Sequence, residues 1–149
     1  MIRLQTEDFS MQAEYDKLRV KSSVGAVVVF SGLVRDINQG KAVSSLTLEH
    51  YPGMTEKSLA KIVEQAQFRW DIIDCTVIHR IGELKLSDQI VFVGIASLHR
   101  QDAFAACEFI IDYLKTEAPF WKKESATNKE SYWLDAREGD LAQLSKWKK

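Results

Sequence analysis

Lys115 and Lys122 stand on either side of Pro119, Phe120 and Trp121 in the run DYLKTEAPFWKKE, residues 112–124. A primary amine beside an aromatic wall loses part of its hydration, which eases its deprotonation and suits it to proton transfer or to attack on an acyl carbon. An amine that keeps its proton there stabilises developing negative charge instead. The plainer reading of the same residues is a helix end, because lysines favour the negative end of the helix dipole and proline stops the helix. Two further places suit an anion. SLHRQD (97–102) passes from a strand pattern to a helix pattern, so His99 and Arg100 flank a helix N-terminus whose unpaired N–H groups attract phosphate; otherwise His99 is a cap or a buried side chain and Arg100 a surface charge. Arg35 closes an apolar run ahead of DINQGK (36–41), where a guanidinium can grip phosphate through two hydrogen bonds or can simply end a strand.

Little else in the chain carries chemistry. Cys75 and Cys107 lie in apolar surroundings, outside any CxxC pair, and read as small core residues; the scattered His50, His79 and His99 argue against a structural zinc, so no metal is expected. His50 and His79 belong to strand-like segments and read as structural, and Met54 reads as packing. Nucleophile-elbow, phosphate-loop, dinucleotide and zinc-protease motifs are all missing from the sequence, so an enzyme built on it works through lysine, arginine and histidine. Twenty basic against 21 acidic side chains give a net charge of -1, which supplies no global field for nucleic acid. The C-terminal KWKK is too short to change that.

The elements that must hold these residues follow from periodicity. At 149 residues, 46% hydrophobic and 28% charged, the chain suits one domain spanning 1–149 with a real core. MIRLQTEDFS lacks the apolar centre of a signal peptide, and no apolar run reaches membrane length, which places the protein in the cytoplasm. SMQAEYDKLR predicts an N-terminal helix over about 10–19, capped by Ser10. GAVVVFSGLVR predicts a buried strand, DINQGK a turn, and VSSLTLEHY a second strand. After the YPG turn, Thr55 is expected to cap a helix with Leu59, Ile62, Val63, Ala66 and Trp70 on its buried stripe. CTVIHRIG and QIVFVGIASL predict strands joined by ELKLSD as a hairpin or short connection. The longest helix runs from about Arg100 to Glu117 with Ala103, Phe104, Cys107, Ile110, Ile111 and Leu114 inward, Lys115 at the stripe's margin, and Glu108 and Asp112 farther round. Beyond Pro119, SYWLDA predicts one more strand and the stretch from Arg137 a terminal helix or tail, the tail spanning about 138–149. Clustered strands with packing helices make an α+β chain, mostly antiparallel.

TLEHYPGMTEKSL, VIHRIGEL, IVFVGIASLHR and DYLKTEAPFWKKE together resemble the large, catalytic subunit of molybdopterin synthase, the MoaE family, from about Gly25 to Arg137 in order and spacing. The resemblance implies an α/β-hammerhead with an additional antiparallel sheet. It implies a sulfurtransferase of molybdenum cofactor biosynthesis that turns cyclic pyranopterin monophosphate (precursor Z) into molybdopterin by inserting a dithiolene. Each sulfur would come from a small ubiquitin-like carrier, MoaD-like, as a thiocarboxylate on its C-terminal Gly-Gly. The present chain ends in KWKK and fits the receiving role.

By the same resemblance the catalytic lysines fall on Lys115 and Lys122, with acid/base, covalent and electrostatic roles all open. Arg35, His99 and Arg100 fall on anion-binding positions and Phe30 on a pocket wall. Phe120, Trp121 and Arg137 fall near the carrier-binding region, and ESATNKESY (124–132) has no assigned role. The family pocket lies at a homodimer interface inside a heterotetramer, with the His-Arg pair coming from the other protomer; no cofactor, nucleic acid or membrane is implied. Two other classes fit parts of the pattern: a non-catalytic phosphate- or nucleotide-binding module using Arg35 and the His99–Arg100 helix start, and an interaction protein using an aromatic patch around Phe120 and Trp121.

Overall fold

A computed structural model describes residues 1–38, 41–126, 131–134 and 142–147. In chain order its elements are β1 (Ile2–Gln5), α1 (Met11–Leu18), β2 (Ala26–Leu33), β3 (Ile37–Asn38), β4 (Lys41–His50), α2 (Met54–Arg69), β5 (Asp74–Arg80), β6 (Gly82–Lys85), β7 (Gln89–Ser97), α3 (Arg100–Glu117), β8 (Phe120–Ala126) and β9 (Ser131–Leu134), then a 3₁₀ turn (Ser145–Trp147). This is the α+β architecture read from the sequence, with a helix-covered sheet and an added antiparallel one.

The first sheet has the order β1-β5-β7-β2, with β1 parallel to β5 and the other pairs antiparallel. Both faces of β7 are covered, which is why QIVFVGIAS is an almost continuous apolar run. Val91, Val93 and Ile95 face α2 and α3, while Phe92 and Ala96 face Phe9 and Leu18 on the α1 side. Gly94 is required there, because a Cβ would stand 2.5 Å from Leu18 Cδ1 and 2.7 Å from the Phe92 ring. Ser10 caps α1 as expected, accepting from Ala13 N at 3.2 Å. Cys75 and Cys107 lie buried in the α2–α3 core, and burial pushes both thiols up to about 12.

The second sheet has the order β3-β4-β8-β9, with β6 also pairing β4. Its small core is Val34, Leu46, Leu48 and Leu84. ELKLSD therefore does more than connect: Gly82–Lys85 leaves the first sheet to pair with Ser45–Leu48 of β4, and Ser87, at φ 68°, turns the chain back into β7.

Other expectations are corrected by position. β2 is the edge strand of its sheet, so it is half-buried instead of buried, with Val29 and Leu33 exposed. On α3, Phe109 fills the core and Phe104 is 60% exposed; residues five apart sit about 140° apart around a helix, so the two cannot share a face. Met54 is exposed, not packed. Asp112 is buried because the C-terminal segment folds over it: Trp147 Nε1 donates to Asp112 Oδ2 at 2.7 Å, and the Trp147 ring meets Trp70 and Phe109 edge-on. Lys146 pairs with Glu108 and Asp112, and Arg69 donates to the Trp147 carbonyl. Among the described residues no helix is long and apolar enough to cross a membrane.

Candidate active site

The lysines are placed by the bend between α3 and β8. Lys115 is exposed in the last turn of α3, where the dipole favours a cation. Ala118 ends the helix in an extended conformation (φ -77°, ψ 130°), and Pro119 leads directly into β8. Phe120, Trp121 and Lys122 then pair with His50, Glu49 and Leu48 of β4. FWKKESA is thus a strand, where only SYWLDA was expected to be one beyond Pro119. Its alternation splits the aromatic wall: Phe120 and Lys122 share one face, and Trp121 takes the other. Trp121 meets Tyr51 at a tilt of 55° with ring centroids 4.5 Å apart, and both rings stay about half exposed.

Phe120 turns inward and lies flat on His79, centroids 3.9 Å apart at 19°. His79 is buried, as read, and its Nδ1 lies 2.9 Å from the Arg80 carbonyl, a contact an Nδ1–H makes as donor. Burial pushes its pKa down to about 4, against the opposing pull of that carbonyl, and Lys122 lowers it further. The ring is therefore neutral near pH 7, and Lys122 faces an uncharged neighbour.

Thr55, expected to cap α2, lies inside its first turn and is fully buried. The cap position is Gly53, at φ 85°, and the Glu56 carboxylate accepts from Gly53 N at 2.8 Å. Thr55 Oγ1 instead accepts from Tyr51 N and donates to the Pro119 carbonyl, both at 2.9 Å. This contact was not visible in the sequence, since its partner lies 64 residues away.

Arg35 is exposed just beyond β2, beside Val34, whose N–H donates to the Asp88 carbonyl and whose carbonyl accepts from Ser87 N. Phe30 lies on the inward face of β2, opposite Val93, against the α2–α3 core. Across the sheet, His79, Val91 and Gly32 form one row, so the His79–Phe120 stack sits at the end of the sheet where β2 runs out toward Arg35. Arg35, Lys115 and Lys122 accordingly share one end of the molecule.

His99 and Arg100 lie at the other end. His99 is the N-cap residue of α3 but makes no side-chain cap bond; the Ser97 hydroxyl donates to its carbonyl and accepts from its N–H. Both side chains are exposed. Helix α3 runs back along β7, with Cys107 Sγ against the Val93 carbonyl, so fifteen residues of rise put about 22 Å between Arg100 and Lys115. One chain brings together the lysine and Arg35 half of the expected site and holds the His-Arg half apart from it. Arg137 lies outside the described residues. Among those described, no group of three His, Cys, Asp or Glu is arranged to hold a metal ion.

The chain is similar to known proteins along nearly its whole length. A family model described as "MoaE protein" matches residues 4–117. A curated relative from Ralstonia nicotianae, named molybdopterin synthase catalytic subunit, is 58% identical over 147 residues, 98% of this chain and 83% of the relative. One of the same name from Vibrio cholerae is 56% identical over 146 residues, covering 98% and 97%. The solved structure of a molybdopterin biosynthesis MoaE protein from Burkholderia ambifaria superposes with a TM-score of 0.83 at 50% identity, covering 99% and 98% of the two chains.

Proposed function

Because the chain belongs to the MoaE protein family, we propose that it is the catalytic subunit of a molybdopterin synthase, moving sulfur from a thiocarboxylated carrier protein to cyclic pyranopterin monophosphate in molybdenum cofactor biosynthesis. Identity above half over nearly the full chain with relatives of that name is the observation that carries this reading. The whole chain acts as one catalytic domain, in the cytoplasm.

Lys115 and Lys122 serve the acyl chemistry. Once the carrier's sulfur has bonded to the pterin side chain, cleavage of the acyl carbon–sulfur bond leaves that sulfur on the substrate. The carrier departs as a carboxylate if water attacks and an amine takes the proton; if the amine itself attacks, the carrier stays joined to the lysine as an amide and leaves only once water cleaves that bond. Lys122, beside the neutral His79, suits the binding of phosphate or of the oxyanion formed at the acyl carbon. Arg35 and the His99–Arg100 helix start bind the phosphate and pterin, and Phe30 walls the pocket. The half-exposed Tyr51–Trp121 pair supports a carrier-binding role for Trp121 beside Lys122, with the partly buried Phe120 on the opposite face and Arg137 assigned to the same region. The separation of about 22 Å between Arg100 and Lys115 supports a homodimer in which each pocket takes its His-Arg pair from the other protomer, within a heterotetramer with two carriers.

The test is to mix the purified chain with the pterin monophosphate and a thiocarboxylated carrier. Dithiolene product is expected, and loss of product with Lys115→Ala. Pterin binding without turnover would leave a phosphate-binding module, and carrier binding alone an interaction protein.

A further inference from the structure

Resting on the lysine roles proposed above, we infer that Thr55 is a positioning residue that fixes the spacing of Lys115 and Lys122. Pro119 is the hinge between the two amines, four residues beyond one and three before the other. A bend at proline has no N–H of its own to tie down, so its carbonyl is the group by which the fold can hold it. That carbonyl accepts from Thr55 Oγ1 at 2.9 Å. Thr55 Oγ1 itself accepts from Tyr51 N at 2.9 Å, next to His50, the β4 partner of Phe120. One fully buried hydroxyl therefore fastens the first turn of α2 to the end of β4 and to the α3–β8 bend at once.

Both capacities of the hydroxyl are used, as donor and as acceptor. Removing it takes the partner from a part-buried carbonyl and a part-buried amide, and with it the side-chain tie that links the bend to α2 and β4. The His79–Phe120 stack restrains the ring of Phe120 but not the Pro119 carbonyl. A shift of about 1 Å in reacting groups is enough to cost up to about a hundredfold in rate.

Three variants separate position from stability. Thr55→Val keeps the shape and removes the hydroxyl, Thr55→Ala removes both, and Thr55→Ser keeps the hydroxyl on a smaller side chain. Single-turnover sulfur transfer is measured with saturating carrier and pterin on protein shown by circular dichroism to be folded, and carrier affinity is measured separately. Valine and alanine variants are expected to bind carrier normally yet transfer sulfur at least about tenfold more slowly, with serine within about threefold of the parent. Should valine not fold, the alanine and serine pair gives the same comparison. Transfer by folded alanine or valine variants within about threefold of the parent, or serine as slow as alanine, would overturn the inference.

If the parent chain itself transfers no sulfur, the functional reading fails separately. Acetylation of Lys115 and Lys122 by acetic anhydride, followed by mass spectrometry, then decides the positioning: a Lys115-to-Lys122 labelling ratio that changes in Thr55→Ala and returns in Thr55→Ser upholds it, and an unchanged ratio overturns it.

Discussion

Lysine and arginine carry the same charge and differ in what they can give up. A guanidinium stays protonated under ordinary conditions and cannot replace an amine in proton transfer or acyl attack. Lys115→Arg is therefore expected to lose most single-turnover sulfur transfer, by at least about a hundredfold, while the carrier still binds. Lys122→Arg should retain a measurable fraction, because binding an anion or oxyanion needs charge before it needs a titratable amine. Near-parental transfer by Lys115→Arg would leave its charge as the whole of its contribution. Lys115, Arg35 and His99–Arg100 draw notice in the sequence because they stand at element ends, and Lys122 because it follows the two aromatics that open β8. Thr55 was misread. A threonine after YPG satisfies the local rule for a helix cap, and nothing within a few residues reveals that its hydroxyl is engaged by Tyr51 and Pro119.

At the scale of elements, local periodicity carried most of the fold. The runs that became β2, β4, β5 and β7, and the stripe of α2, all alternate or repeat clearly enough to be found from the sequence. Besides the short β1 and β3, the strands it did not reveal are β6 and β8, both largely polar and short of β-branched residues. Each of these two owes its existence to pairing with β4, β8 across 70 or more residues of sequence, and not to its own preference. The facing of α3 was half right, because its apolar residues spread over more than one side and only the packed α2, β7 and Trp147 show that Phe109 is central. This predicts a sharp contrast between two helical phenylalanines. Phe109→Ala should cost about 3–5 kcal/mol in urea unfolding, since the ring is fully buried among Trp70, Tyr113 and Trp147. Phe68→Ala, at a site 92% exposed on α2, should change stability by no more than about 0.5 kcal/mol.

At the scale of the molecule, the two ends of α3 pose the question of assembly. The helix expected over Arg100–Glu117 already implies about 22 Å between Arg100 and Lys115; what no spacing rule could show is that α3 runs back along β7, which sets its two tips at opposite ends of the sheet. If each pocket combines the two ends from different protomers, a Lys115→Ala chain and an Arg100→Ala chain, each inactive alone, should form mixed dimers in which one pocket is intact. About half of the activity per mixed dimer is expected to return in single-turnover sulfur transfer. No recovery in mixed dimers verified by mass spectrometry would place the whole site within one chain.

The unbroken run of α3 also acts as a ruler with a working mark at each end. Inserting or deleting one residue between His99 and Lys115 would slide one mark past the other by about 1.5 Å and swing it round by about 100°. The same slip would carry Phe109 and Cys107 out of the core they fill. Amino-acid exchanges along the outer side of this interval are cheap, but its length is fixed from both directions, by the core beneath it and by the groups it carries at its tips.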